Sequence, residues 1–230
     1  MKVLVFGAGV LGSYLAHVLC QAGNSVTVLA RGERKLELEQ QGLVIRHHLQ
    51  HKTTVDQPAI TDNAQGEHWD AVFAVMQYQQ MQQAQTALAA LDTPLLVLVG
   101  NNVAALAMQE AIISQSPTPK SVVFGFQPTG GRRENGRVMC VRFGEGHLTC
   151  GFADRPLDAA TQATLQNLFQ GVKYTALCQP NMDAWYKSHL ALILPVSYLC
   201  YALACDLKRS TRAQRSQALD AVREGYRLLQ

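Results

Sequence analysis

The sequence predicts an α/β fold: a doubly wound, mostly parallel sheet with added antiparallel strands, followed by an all-helical domain. Three observations predict it. An apolar run at the N-terminus feeds a glycine-rich turn and then a helical pattern. Short apolar runs and helical patterns go on alternating as far as residue 125. From residue 183 onward every pattern is helical. Alternation of this kind calls for a parallel sheet with helices on both faces. The change near Asn181 sets the expected domains at 1–180 and 181–230.

The first unit carries most of the information. Residues 2–6 are an apolar strand, Gly7-Ala8-Gly9-Val10-Leu11-Gly12 follows at once, and 13–22 read as a helix stopped by Gly23-Asn24. Residues 25–30 form the next strand. G-x-G-x-x-G is weak alone and strong between a strand and a helix, where it marks a Rossmann-like dinucleotide site. Gly7 allows the tight turn, Gly9 admits a pyrophosphate to the backbone, and Gly12 lets helix and strand approach. The helix N-terminus presents unpaired N–H groups to the phosphates. In such sites a carboxylate past the second strand holds a ribose hydroxyl, whereas an arginine accommodates a 2′-phosphate. Here Arg31 follows the strand, with Arg34 and Lys35 close behind and Glu33 as the one acidic competitor. The cofactor expected is NADP.

The remaining elements follow in order. A short helix spans 34–41, and 43–48 with 52–55 form a small hairpin whose His47, His48 and His51 are expected to be exposed. They lack a fourth ligand at any recognised spacing, so no metal is expected. Strands are expected at 71–75, 95–99 and 121–125, and helices at 77–91 and 103–115. Met81, Ala84, Leu88 and Leu91 recur at helical spacing, which leaves most of the six glutamines on a wet face. Residues 137–143 and 148–152 read as antiparallel strands around Gly144-Glu145-Gly146. A helix at 158–169 turns Thr161, Leu165 and Leu168 inward, and 172–177 is a last strand. The apolar run 190–204 contains Pro195 and Ser197 and is short for a membrane span, so it reads as a buried helix.

Composition narrows the function. The chain has 230 residues, 48% hydrophobic and 16% charged, with net charge +3. It can build a sizeable core, and its few separated basic clusters do not form a nucleic-acid stripe. Six cysteines without a C-x-x-C pair fit reduced thiols in the cytoplasm. The N-terminus lacks the pattern of a secretory signal.

Ligands of open parallel sheets bind at the carboxyl ends of the strands. Gln77, Asn101 and Gln127 stand at such ends. The glycine loop with Arg31, Gly100-Asn101-Asn102, Gly130-Gly131-Arg132-Arg133, and Trp185-Tyr186-Lys187 with Pro195 in the same helix make the chain resemble the ketopantoate reductase (2-dehydropantoate 2-reductase) family over nearly its whole length. The resemblance implies NADPH-dependent reduction of a 2-keto acid, as in pantothenate biosynthesis. It implies Lys187 as proton donor and substrate contact, Asn101 touching nicotinamide and substrate, and Gln77 at a cofactor position where the family has lysine. Family asparagines that hold substrate fall on Ala191, Pro195 and Ala204 here. Pro195 also leaves the Ala191 carbonyl without its helical donor. His189 points away from the Lys187 face and is expected to pack.

The family's helical domain continues past residue 230, so this one reads as incomplete. Its last stripe, Leu219, Val222, Tyr226 and Leu229, is expected to pack against a second copy, or to be poorly ordered without one. Two alternatives stand beside the reductase: a non-catalytic NADP-binding or dimerising relative, and an enzyme of the same fold acting on another oxo- or imino-acid.

Overall fold

A computed structural model describes residues 1–229; Gln230, the end of the expected helical domain, lies outside them. In chain order the first elements are β1 (Lys2–Phe6), α1 (Val10–Gln21), β2 (Ser25–Leu29), α2 (Gly32–Gln41), β3 (Leu43–His47), β4 (Lys52–Asp56), β5 (Ala59–Thr61) and β6 (Ala71–Val75). Then come α3 (Tyr78–Ala89), β7 (Leu95–Val99), α4 (Ala105–Gln115), β8 (Ser121–Phe126), β9 (Gly130–Glu134), β10 (Arg137–Val141), β11 (His147–Gly151), α5 (Ala159–Leu168) and β12 (Thr175–Cys178). A long helix α6 (Met182–Ala202), a 3₁₀ turn (Leu207–Arg209) and α7 (Arg212–Arg227) complete the chain.

The strands form an eight-stranded sheet in the order β12-β11-β8-β7-β6-β1-β2-β5 and a four-stranded sheet in the order β4-β3-β10-β9. In the larger sheet every pairing is parallel except β11 with β8. All five residues of β6 and of β7 are buried, as unbroken apolar runs covered on both faces must be. On α5, Thr161, Leu165 and Leu168 are buried as expected. No described helix is long and apolar enough to cross a membrane.

The expected antiparallel pair around Gly144-Glu145-Gly146 does not form. β10 pairs with β9 and β3 in the small sheet, whereas β11 enters the large sheet between β8 and β12. Burial explains the parting: β10 alternates between wet and dry, while Leu148 to Gly151 of β11 are buried throughout. A one-sided strand suits the small sheet, and a two-sided one needs neighbours on both sides in the large sheet, as β11 has between β8 and β12. Two strands, β5 and β9, were not expected: β5 is three residues long and β9 is exposed along its whole length.

Helix α1 packs against β1, β2 and β6 on one side and against β3, β9 and β10 on the other. Being covered by two sheets, it buries every residue from Gly12 to Leu19. Its polar members therefore need partners. The His17 Nδ1 lies 2.6 Å from Asp56 Oδ2, and the Gln21 amide donates to the other oxygen of Asp56. The Tyr14 hydroxyl donates to the Glu145 carbonyl, with the Arg142 guanidinium 4.9 Å above its ring. Of the three hairpin histidines expected to be exposed, His47 is fully buried. Arg142 donates to its Nδ1 at 3.2 Å, so Nε2 carries the proton and meets Thr54. The second sheet covers this histidine because β3 is one of its inner strands.

The helical unit begins at Asp183. Helix α7 opens with a capping box, the Thr211 hydroxyl accepting from Gln214 N–H and the Gln214 side chain accepting from Thr211 N–H. A methyl placed on Gly225 would come within 3.0 Å of the Ala191 side chain, so two small residues let α6 and α7 approach closely. The run 190–204 is helical as far as Ala202 but not buried as expected: Leu192, Leu194, Val196, Tyr198 and Tyr201 are exposed. A helix apolar on all sides has more such surface than one neighbouring helix can cover.

Candidate functional site

The carboxyl ends of β1, β2, β6 and β7 open into one cleft of about 960 Å³. The strand order runs away from β1 in both directions, so the cleft lies at the switch point where such sheets bind ligands. Gly7, Ala8, Gly9, Val10, Leu11 and Gly12 line it, as do Arg31, Gln77 and Asn101. The structure thus brings together every cofactor position expected from the sequence.

The three glycines are constrained differently. Gly7 has φ +129° and a side chain there would meet the Val75 carbonyl, while one on Gly12 would run into the Gly7 carbonyl. Gly9 has no protein atom within 4 Å of where a side chain would start. Internal packing explains Gly7 and Gly12, whereas Gly9 leaves the loop backbone open toward the cleft. The first turn of α1 leaves its N–H groups without helical partners, and no side chain caps them. A pyrophosphate fits this cradle.

Among the charged residues lining the cleft are Arg31, Arg34 and Arg133, and no carboxylate. Arg31 is the N-cap of α2 and exposed. Arg34 is buried and committed: it donates to the Ala8 carbonyl, Ser13 Oγ, Glu37 and the Gly136 carbonyl, bracing the glycine loop from beneath. Lys35 turns to Asp62 at 2.6 Å. Neither Lys35 nor Glu33 lines the cleft.

Asn101 and Asn102 divide the work at the end of β7. Asn102 is buried and donates to the Leu98 carbonyl, locking the turn, whereas Asn101 is exposed to the cleft. Gln127 is not a cleft residue. It is buried, donating to the Leu11 carbonyl and accepting from the Tyr174 hydroxyl at 2.9 Å. Sequence reasoning missed Gln80, Gln83, Ala84 and Ala87, which line the cleft from α3. Their spacing of three, four and seven marks one helix face; an all-polar pair such as Gln80 and Gln83 reads in the sequence as wet surface.

On α6, Lys187 is half-exposed and pairs with Asp183 one turn earlier at 2.5 Å. His189 stacks on Trp185 with ring centres 5.1 Å apart and burial lowers its pKa, so it packs. Ala191, where the resemblance places a substrate-holding asparagine, is the contact point for Gly225 of α7.

The family described as ketopantoate reductase PanE/ApbA matches residues 3–155, more than half of the chain. The chain belongs to the ketopantoate reductase PanE/ApbA family. No curated protein matches it. Among solved structures, 2-dehydropantoate 2-reductase from Geobacter metallireducens GS-15 is 18% identical with a TM-score of 0.79, over 98% of this chain and 74% of that one. The enzyme of that name from Methylococcus capsulatus is 18% identical with a TM-score of 0.66 over 86% of this chain. This family member spans 64% of the Methylococcus protein's length. A ternary structure of D-mandelate dehydrogenase with NADH and anilino(oxo)acetate gives 18% identity and a TM-score of 0.73, over 95% of this chain and 70% of that one. These likenesses establish the fold.

Proposed function

We propose that the protein is an NADPH-dependent reductase of a 2-keto acid, ketopantoate or a related oxo acid, working in the cytoplasm. The observation that carries this is the cleft: an unobstructed Gly9 beside a helix N-terminus, with Arg31, Arg34 and Arg133 and no carboxylate among the described lining residues. Loop N–H groups would hold the pyrophosphate and Arg31 the 2′-phosphate. Gln77 would contact the cofactor, and Asn101 would orient both nicotinamide and keto acid. When bound, the dinucleotide supplies a hydride from its nicotinamide ring. Lys187 would polarise the substrate carbonyl as an ammonium and hand its proton to the oxygen as the alcohol forms. The Asp183 carboxylate holds that ammonium until substrate competes for it. A second copy would pack on α6 and α7.

The test is oxidation of NADPH against a panel of 2-keto acids that includes ketopantoate. Turnover of at least one, faster than with NADH, is the expected result. The substrate positions Ala191, Pro195 and Ala204 favour a second reading, a dinucleotide-binding relative without turnover. Tight NADPH binding with no oxidation by any keto acid would replace the first reading by the second.

A further inference from the structure

The small sheet has a use at the cofactor site. Its edge strand β9 crosses the start of α1, where a methyl on Gly131 would lie 3.1 Å from the Val10 side chain. Residues two apart on a strand share a face. Gly131 faces Val10, so Arg133 faces the cleft and lines it, while Arg132 turns to Glu134 on the strand's other side. Arg133 is half-exposed, and among the described residues its acidic neighbour is Glu37 at 3.9 Å, beyond hydrogen-bonding distance. Glu37 is itself engaged with Arg34 at 2.9 Å. Arg34 is buried and already donates to the Ala8 carbonyl, Ser13, Glu37 and the Gly136 carbonyl, so the two less committed guanidiniums in the cleft are Arg31, from the end of β2, and Arg133, from a different sheet.

From this we infer that Arg133 is a second reader of the cofactor's 2′-phosphate, closing on it opposite Arg31. This rests on the NADP reading above. A phosphate monoester carries about −1.5 to −2 at neutral pH. Arg31, Arg34 and Arg133 set against Glu37 leave two positive charges in excess, which a phosphate balances and a bare ribose hydroxyl does not. A guanidinium meets phosphate through two parallel donors, a geometry that lysine lacks.

The experiment titrates NADPH and NADH into the full chain, wild type, Arg133→Gln, Arg133→Lys and, as a control on the opposite face of β9, Arg132→Gln. Arg133→Gln should weaken NADPH about tenfold and leave NADH unchanged. Arg133→Lys should recover part of the loss, and Arg132→Gln should change neither cofactor. The salt dependence of NADPH binding should be shallower in Arg133→Gln than in wild type. Equal loss for both cofactors, or none for either while wild type still prefers NADPH, overturns Arg133 as a reader and leaves the NADP reading standing. Equal affinity of wild type for NADH and NADPH overturns both. If Arg133→Gln does not fold, the Arg133→Lys titration decides alone: a loss confined to NADPH supports the inference, and wild-type affinity for it overturns the inference.

Discussion

Lys187 is the residue on which the proposed chemistry turns, since general acids of this kind contribute about 10²- to 10⁴-fold in rate. Lys187→Ala should lower turnover by at least 100-fold while NADPH affinity stays within about twofold; steady-state kinetics beside a binding titration measure both, and a variant with wild-type turnover removes Lys187 as proton donor. For Arg31, charge-assisted hydrogen bonds contribute about 1.5–3 kcal/mol each at most, so Arg31→Ala should cut an NADPH preference of roughly 10- to 100-fold without abolishing dinucleotide binding, as cofactor titrations would show. His47 gives a pH prediction. Burial first, then the His17 ring and the Arg142 guanidinium, hold it down to about 4, against an ordinary 6.5. The unfolded chain therefore takes up this proton first as pH falls. Its contribution to stability is complete above pH 6.5, shrinks between 6.5 and about 4, and is gone below. At 1.36 kcal/mol per pKa unit the loss is at most about 3 kcal/mol. Denaturant midpoints across that window should fall in wild type and fall less in His47→Gln. Arg31 and Asn101 were legible in the sequence because a strand end fixes where the next residue goes. His47, Gln127 and Arg34 were not, because their partners Arg142, Tyr174 and Gly136 lie 95, 47 and 102 residues away.

The strand–turn–helix element at the N-terminus separates packing glycines from a ligand glycine, and the two kinds should fail differently. Gly12→Ala forces a methyl into the Gly7 carbonyl, and overpacking of this sort costs about 1–3 kcal/mol; its melting temperature should drop by several degrees. Gly9→Ala has open space and should melt with wild type, yet lose at least tenfold in affinity for either dinucleotide, because the methyl occupies the pyrophosphate's approach. Calorimetry and cofactor titration on the two variants test this; equal melting losses in both would mean that Gly9 is a packing glycine too. Elements whose runs were apolar throughout, such as β6 and β7, were readable at once, since nothing but the sheet interior suits them. β9 was unreadable: all five of its residues are exposed and its alternation carries no hydrophobic signal, although it brings Arg133 to the cleft. The pairing of β10 could not be read either, because a turn between two strand patterns looks the same whether it joins neighbours or carries the chain from one sheet to another.

Across the whole molecule the two units differ in how completely they cover themselves. The α/β unit from Met1 to Met182 closes a core around a doubly covered helix. The unit from Asp183 leaves Leu192, Leu194, Tyr198 and Tyr201 of α6 exposed. Of the expected stripe on α7 only Val222 is buried, while Leu219, Tyr226 and Leu229 are exposed. Side chains of this size each gain roughly 1.5–3 kcal/mol on full burial, and dispersed apolar residues need no explanation whereas a dense set on two adjacent helices does. A second copy would supply the same surface in return, and a two-fold arrangement would let one patch satisfy both chains. The expected result is a dimer by sedimentation equilibrium, dissociating on dilution, with slow amide exchange along α6 and α7 in the dimer alone. Tyr198→Ser with Tyr201→Ser should shift the equilibrium toward monomer while leaving dinucleotide binding in the first unit unchanged. A monodisperse monomer whose α7 amides are already well protected would show that these side chains are satisfied without a partner, and that the exposed faces of α6 and α7 have no part in assembly.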